Sequence, residues 1–217
     1  MSDISMQGAH TAHAEHRADQ AAVAQSIHNQ KLAMWLYLAS EVVIFTVFIA
    51  AYVLFRIHNE ELVHELHETL GTVGILLVTF NTFLLLTSSW AMVMGLRQIE
   101  RDNVRGLIQW LSLTALLGTV FVLLQYYEYN NLAGEGITLE YAREAGEFQG
   151  FGMHFYVPTA FHGAHVVVGV MWCLAVMLKA RRGRYSSGNH VGVEVFGLYW
   201  HFVDVVWILL FTLIYLV

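Results

Sequence analysis

Five apolar runs, each long enough to cross a lipid bilayer as a helix, constrain this chain more than any other feature. They cover residues 32–55, 70–96, 106–129, 153–178 and 191–217. A hydrocarbon core of roughly 30 Å needs about 20 helical residues, so each run can span it, tilted where it is longer. Only 13% of the residues are charged while 57% are apolar. A soluble domain normally carries about 25% charged residues, spread along the chain. Here the charges lie between the runs, and no Lys or Arg falls in the central part of any of them. The expected fold is an all-α membrane protein, a bundle of five transmembrane helices over residues 31–217 behind a polar tail of residues 1–30.

Charge asymmetry predicts the orientation. Arg17 and Lys31 precede the first run; Arg97, Arg101 and Arg105 join the second to the third; Lys179, Arg181, Arg182 and Arg184 join the fourth to the fifth. Only Arg56 and Arg143 lie at the other end. By the positive-inside rule the N-terminus is cytoplasmic and the C-terminus outside. The outer connections are acidic, with Glu60, Glu61, Glu65 and Glu68 in the first and Glu135, Glu140, Glu144 and Glu147 in the second. Such a surface could steer a basic electron carrier, although solvated loops kept free of Lys and Arg by the topology look the same.

The first 30 residues carry His10, His13, His16 and His28 but no apolar stretch before Lys31, so they do not read as a signal peptide. Nothing in their spacing fixes a metal geometry, and a flexible cytoplasmic tail is expected. Cys173 is the only cysteine, which excludes a disulfide or a paired-thiolate metal site within the chain.

The informative residues are the polar ones inside the runs, where a charge costs roughly 2.5–3.5 kcal/mol even on a lenient scale. Glu41 lies ten residues beyond Lys31, roughly 15 Å along a helix. Desolvation there favours the neutral acid, which donates a hydrogen bond; the candidate acceptors are His162, His165 or a backbone carbonyl. In the fourth run His154, Pro158, His162 and His165 share one helical face, and Pro158 should kink the helix and free the carbonyl of His154. Ala160, Gly163 and Ala164 are small enough to admit a neighbouring helix. In the fifth run His201 and Asp204 share a stripe with Glu194.

Several chemistries compete for these groups. A haem or copper site needs ligands converging on a cavity, and His162 and His165 one turn apart are a weak signal of that. A di-iron bundle pairs Glu-x-x-His motifs on two helices; the one match, Glu61 to His64, lies outside the runs. No G-x-S-x-G turn occurs for a serine hydrolase. A proton relay through Glu41, Asp204 and the histidines remains open, as does a purely structural set of interhelical hydrogen bonds.

Longer motifs carry a family resemblance. SEVVIF around Glu41, FNTFLLLTSS (80–89), LLGTVFVLLQYYEY (116–129, with Glu128 near the outer boundary), AFHGAHVVVG (160–169) and GLYWHFVDVVW (197–207) occur in this order across all five runs. They resemble subunit III of the haem–copper terminal oxidases, in the short five-helix bacterial form. The last two strings are the specific ones. The resemblance implies an accessory, non-catalytic subunit without haem or copper. It would pack against subunit I, which carries the oxygen-reducing centre, in a complex whose subunit II receives electrons. Lipid binding, support of proton uptake into subunit I, aerobic electron transport and proton translocation follow as expected functions; no nucleic-acid partner is expected.

Two departures from the family pattern stand out. The first two of the family's seven helices are absent, so its lipid cleft is not implied here, and Pro158 replaces a small apolar residue. Ser40-Glu41, Tyr127-Glu128-Tyr129 and the 201–204 string favour cytochrome c over a quinol as electron donor, with a quinol oxidase subunit or a stand-alone proton-coupled transporter as alternatives. The intramembrane polar set to examine is Glu41, Glu128, His162, His165, His201 and Asp204. Trp35, Arg97, Trp110 and Trp200, at headgroup level near the cytoplasmic side, are the expected lipid contacts.

Overall fold

A computed structural model describes residues 2–134 and 151–216, with side chains described for 20–59, 74–134 and 152–216. Within these residues the chain is five helices: α1 (Ser2–His58), α2 (Glu60–Glu100), α3 (Val104–Gly134), α4 (Phe151–Arg181) and α5 (Val191–Phe211). A π-helical turn, Thr212–Leu216, ends the described chain. All five helices are long and apolar enough to cross a membrane. Helix is the only spanning solution for such runs here, because it satisfies every backbone N–H and C=O within one segment.

The helices exceed the apolar runs. The expected outer loop between the first two runs is absent: Asn59 alone separates α1 from α2, and α2 starts at Glu60. The stretch 60–69 contains no Gly or Pro and is rich in Glu and Leu, good helix formers, and its first two residues are acids favoured at a helix N-terminus. The backbone of α1 likewise continues unbroken from Ser2 through the polar segment. The side chains of His10, His13, His16, Arg17, Glu60, Glu61, His64, Glu65 and Glu68, and all of Glu135, Glu140, Arg143, Glu144 and Glu147, lie outside the described residues.

Helices α2 and α3 form the tightest hairpin, α4 packs on α3, and α5 lies against α4, α2 and α1. Helix α1 is peripheral, touching α5 and α4 and only slightly α2. It buries a single stripe, Met34, Leu38, Glu41, Phe45 and Tyr52, while Trp35, Leu36, Val42, Val43, Val47 and Leu54 face outward. Steps of three, four and seven residues keep that stripe on one side of a 3.6-residue helix. Helix α4 includes Pro158 without interruption.

Of the small residues of α4, Gly163 faces α3, where Gln125 Oε1 lies 3.6 Å from the place a Cβ would take. Ala160 and Ala164 are exposed. The bundle instead closes around Trp200, 1% exposed, whose ring lies between two glycines. A Cβ on Gly118 of α3 would lie 2.7 Å from Trp200 Cη2, and one on Gly169 of α4 would lie 2.6 Å from its Cζ3. Lipid tails are as apolar as the core, so such contacts, rather than a hydrophobic drive, hold membrane helices together.

At the end bearing Lys31, the two remaining connections are tied to each other. Asp102, in a left-handed conformation (φ 55°) that Asp tolerates better than most residues, accepts the Ser187 backbone N–H at one carboxylate oxygen and the Ser187 hydroxyl at the other, each at 2.6 Å. These bonds favour the carboxylate and hold Asp102 below the usual carboxylate range. The sign follows: a depressed folded value contributes stability above the unfolded value, lost as pH falls through the folded one. The tether is therefore expected to persist at neutral pH and to open on acidification. Amide exchange at Ser187 that fails to accelerate as pH is lowered through the carboxylate range, after correction for intrinsic rates, would contradict this.

Candidate functional site

The polar side chains of the spans gather at helix interfaces rather than around one centre. In α4, His165 Nδ1 is 2.8 Å from the Phe161 carbonyl. A carbonyl can only accept, so that nitrogen carries a proton and the neutral ring presents its Nε2 lone pair. Glu41 Oε2 of α1 lies 3.4 Å from this Nε2, with both side chains largely buried. A protonated Glu41 complements that lone pair, and an imidazolium–carboxylate pair is the other state of the same proton. Phe45, Phe161 and Tyr199 pack around the His165 ring, and the Tyr199 hydroxyl donates to the His165 carbonyl at 3.0 Å.

His162, fully buried, points the other way. Its Nε2 donates to the Val203 carbonyl of α5 at 3.0 Å, and its ring contacts Phe121 and Trp207. His162 and His165 therefore serve different interfaces and do not converge. Among the described residues no three His, Cys, Asp or Glu side chains come together as a metal-binding group.

Helix α5 uses its own motif to grip α2. Trp200 Nε1 donates to Ser88 Oγ at 3.0 Å and Trp207 Nε1 to Thr82 Oγ1 at 2.9 Å. His201 Nδ1 lies 3.2 Å from Ser89 Oγ, while Asp204 Oδ1, one helical turn further on, is buried without a hydrogen-bond partner. Ser89 of α2, the partner of His201, is a residue that sequence inspection alone did not single out. The recurring i, i+7 spacing of Trp200 and Trp207 opposite Thr82, Ser88 and Ser89 was the available signal.

Further contacts close the two ends of the bundle. At the far end Glu128, buried, accepts the Tyr215 hydroxyl at 2.8 Å, and the Arg56 guanidinium donates to the Leu213 carbonyl at 3.3 Å. At the other end Lys31 of α1 pairs with Glu194 of α5, which His190 also approaches at 3.1 Å. Beside that pair a groove of about 290 Å³ opens between α1, α2 and α5, lined by Lys31, Trp35, Met92, Leu96, Leu198 and His201.

Of the expected lipid contacts, Trp35 (58% exposed) and Arg97 lie on the surface. Trp110 is half-buried against an exposed Trp90, their rings edge-on at 5.2 Å. Trp200 is a correction: it is enclosed between Gly118 and Gly169 and cannot reach lipid, because its stripe of α5 faces α2, α3 and α4.

The five helices, with AFHGAHVVVG on α4 facing GLYWHFVDVVW on α5, form the setting for comparison with known proteins. Residues 2–217 match the family described as cytochrome c oxidase subunit III. The chain belongs to that family. It is 39% identical over 186 residues to a cytochrome c oxidase subunit 3 of Thermostichus vulcanus, covering 85% of this chain and 86% of that one. A cytochrome c oxidase subunit 3 of Synechocystis sp. is 39% identical over 184 residues, 83% of this chain and 72% of its own. A quinol oxidase subunit 3 of Bacillus subtilis is 29% identical over 207 residues, covering 94% and 96%. The subunit III identity makes this chain an accessory subunit of a haem–copper oxidase.

Proposed function

We propose that this subunit III is cofactor-free and works by stabilising subunit I, with haem and copper held by partner subunits. One observation carries the reading. The histidines and tryptophans of the two signature strings are spent on contacts between helices: His162 with the Val203 carbonyl, His165 with Glu41, His201 with Ser89, Trp200 with Ser88 and Trp207 with Thr82. A fixed bundle of this kind suits a scaffold for a neighbouring catalytic subunit better than a ligand set for iron or copper. Subunit I packs directly on this bundle, and subunit II receives electrons from cytochrome c. The 39% identity to two cytochrome c oxidase subunits supports that donor.

In the same reading the Lys31 end is cytoplasmic, residues 1–30 lie on the cytoplasmic side, the C-terminus lies outside, and the complex resides in the bacterial inner membrane. The nine-to-two distribution of basic residues supports this. Phospholipid sits against Trp35 and Arg97, and the groove beside Lys31 has the apolar wall and charged mouth that an amphiphile requires. The intramembrane network of Glu41, His165, His201, Asp204 and Glu128 holds helices in register and leaves proton transfer to subunit I.

Co-purification is the decisive experiment. A tagged subunit is expected to bring down two larger oxidase subunits. Purified separately, it is expected to give blank visible spectra and metal analysis and to move no protons in vesicles. A stoichiometric haem or copper signal would overturn the cofactor-free role, and proton movement by the isolated chain would favour a transporter. For topology, Gly188 is an exposed position with open space around it. Gly188→Cys is expected to react only from the cytoplasmic side; labelling from the periplasm of intact cells would refute the orientation.

A further inference from the structure

The basic end of the α2–α3 hairpin carries more exposed charge than the fold uses. Arg97, Arg101 and Arg105 are all exposed. None has a carboxylate within ion-pair distance among the described residues; the pairs formed there belong to Lys31, His165 and His190. The nearest acids do not neutralise them. Glu100 points into solvent, and both oxygens of Asp102 are taken by Ser187. That same tether draws in the α4–α5 connection, where four more exposed cations lie between residues 179 and 184 with no acid among them.

Below this charge lies an aromatic wall. Trp90, Met94 and Arg97 follow each other at steps of four and three on one face of α2, and Arg101 caps the end of that helix. Trp90, 53% exposed, sits roughly 10 Å down the helix from Arg97. Trp110 closes the wall from α3, its Cβ 3.4 Å from where a Cβ on Gly95 would stand, and Phe83 and Phe80 continue the exposed apolar surface further along α2.

We propose that this hairpin holds an anionic phospholipid, its phosphate against Arg97, Arg101 and Arg105 and its acyl chains along Trp90 and Trp110. The proposal rests on the lipid-binding reading above and adds to it a place and a headgroup. Arginine forks match phosphate oxygens, and tryptophan at this depth places an amphipathic ring beside the glycerol region. A zwitterionic headgroup brings its own cation to a surface that already has seven, so a net-negative headgroup is preferred. The Asp102–Ser187 tether contributes by keeping the second group of cations beside the first.

The test uses the assembled oxidase and two photoactivatable lipids with identical chains, phosphatidylglycerol and phosphatidylcholine, with the adducts mapped on this subunit. Phosphatidylglycerol is expected to label the α2–α3 hairpin in preference to phosphatidylcholine, and labelling should weaken with added salt. At about fivefold per arginine, the triple change R97Q/R101Q/R105Q is expected to lower phosphatidylglycerol affinity roughly a hundredfold, while R97K/R101K/R105K retains most of it. Co-purification of the other subunits verifies that each variant assembles. If the triple change does not assemble, R101Q alone should still show the fivefold loss. Equal labelling by both lipids, or an unchanged affinity in the glutamine variant, overturns the headgroup assignment and leaves a general lipid role standing. No labelling of this subunit by either lipid overturns both. Crosslinking of the hairpin to an acidic segment of another subunit, with no lipid captured, also overturns the proposal.

Discussion

Gly169→Ala is expected to unfold the bundle or release the subunit from its complex, the largest effect foreseen for so small a change. The added methyl would lie 2.6 and 2.8 Å from two ring atoms of Trp200 and 3.2 Å from Tyr199. The indole has no room to retreat, since Gly118 meets its opposite edge and its Nε1 is committed to Ser88. Overpacking of this kind costs about 1–3 kcal/mol, and more where the neighbour is rigid. Gly118→Ala should behave alike, while Gly188→Ala, in open space, should be silent. The mechanism predicts a specific rescue. Trp200→Leu alone removes ring volume and destabilises, but combined with Gly169→Ala it should cost less than the sum of the two, with a coupling of about 0.5–3 kcal/mol. Thermal denaturation of the complex, read as loss of this subunit, measures all five variants. Strict additivity would show that the ring and the glycine do not act on each other.

Glu41→Ala is expected to loosen α1, whereas Glu41→Gln should leave assembly nearly intact. His165 Nδ1 is anchored on the Phe161 carbonyl, so the neutral ring turns Nε2 as an acceptor towards Glu41 and needs a donor from α1. A glutamine amide supplies one and alanine does not, leaving a buried acceptor at a cost of about 1–3 kcal/mol. Helix α1 has little else in reserve, being held by one narrow stripe and by Lys31–Glu194 and Arg56–Leu213 at its two ends. Subunit retention after detergent washing should fall for Glu41→Ala only. Proton pumping provides the independent readout. A Glu41→Gln complex that assembles normally but translocates fewer protons per oxygen would assign Glu41 to proton transfer instead of packing.

Five apolar runs, their order and the distribution of Lys and Arg were enough to determine an all-helical membrane bundle, because length and hydropathy are properties of single segments. The strings around His162 and Trp200 were enough to point to the oxidase subunit III family. Segment ends were less legible: helix propensity carried α2 well past its apolar run, back to Glu60. What only the tertiary structure decided is which face of each helix meets which neighbour. A polar residue in a span is equally unwelcome in lipid whichever partner satisfies it, so the sequence could not tell that Ser89 would meet His201 or that His162 and His165 would serve separate interfaces. Nor could it tell that Trp200 is enclosed, since a tryptophan near a span end reads the same at the headgroups as between two glycines. With apolar residues on every side of a membrane helix, hydrophobic periodicity no longer separates inside from outside. Steric fit and hydrogen-bond satisfaction make that choice, and both depend on residues far apart in the chain.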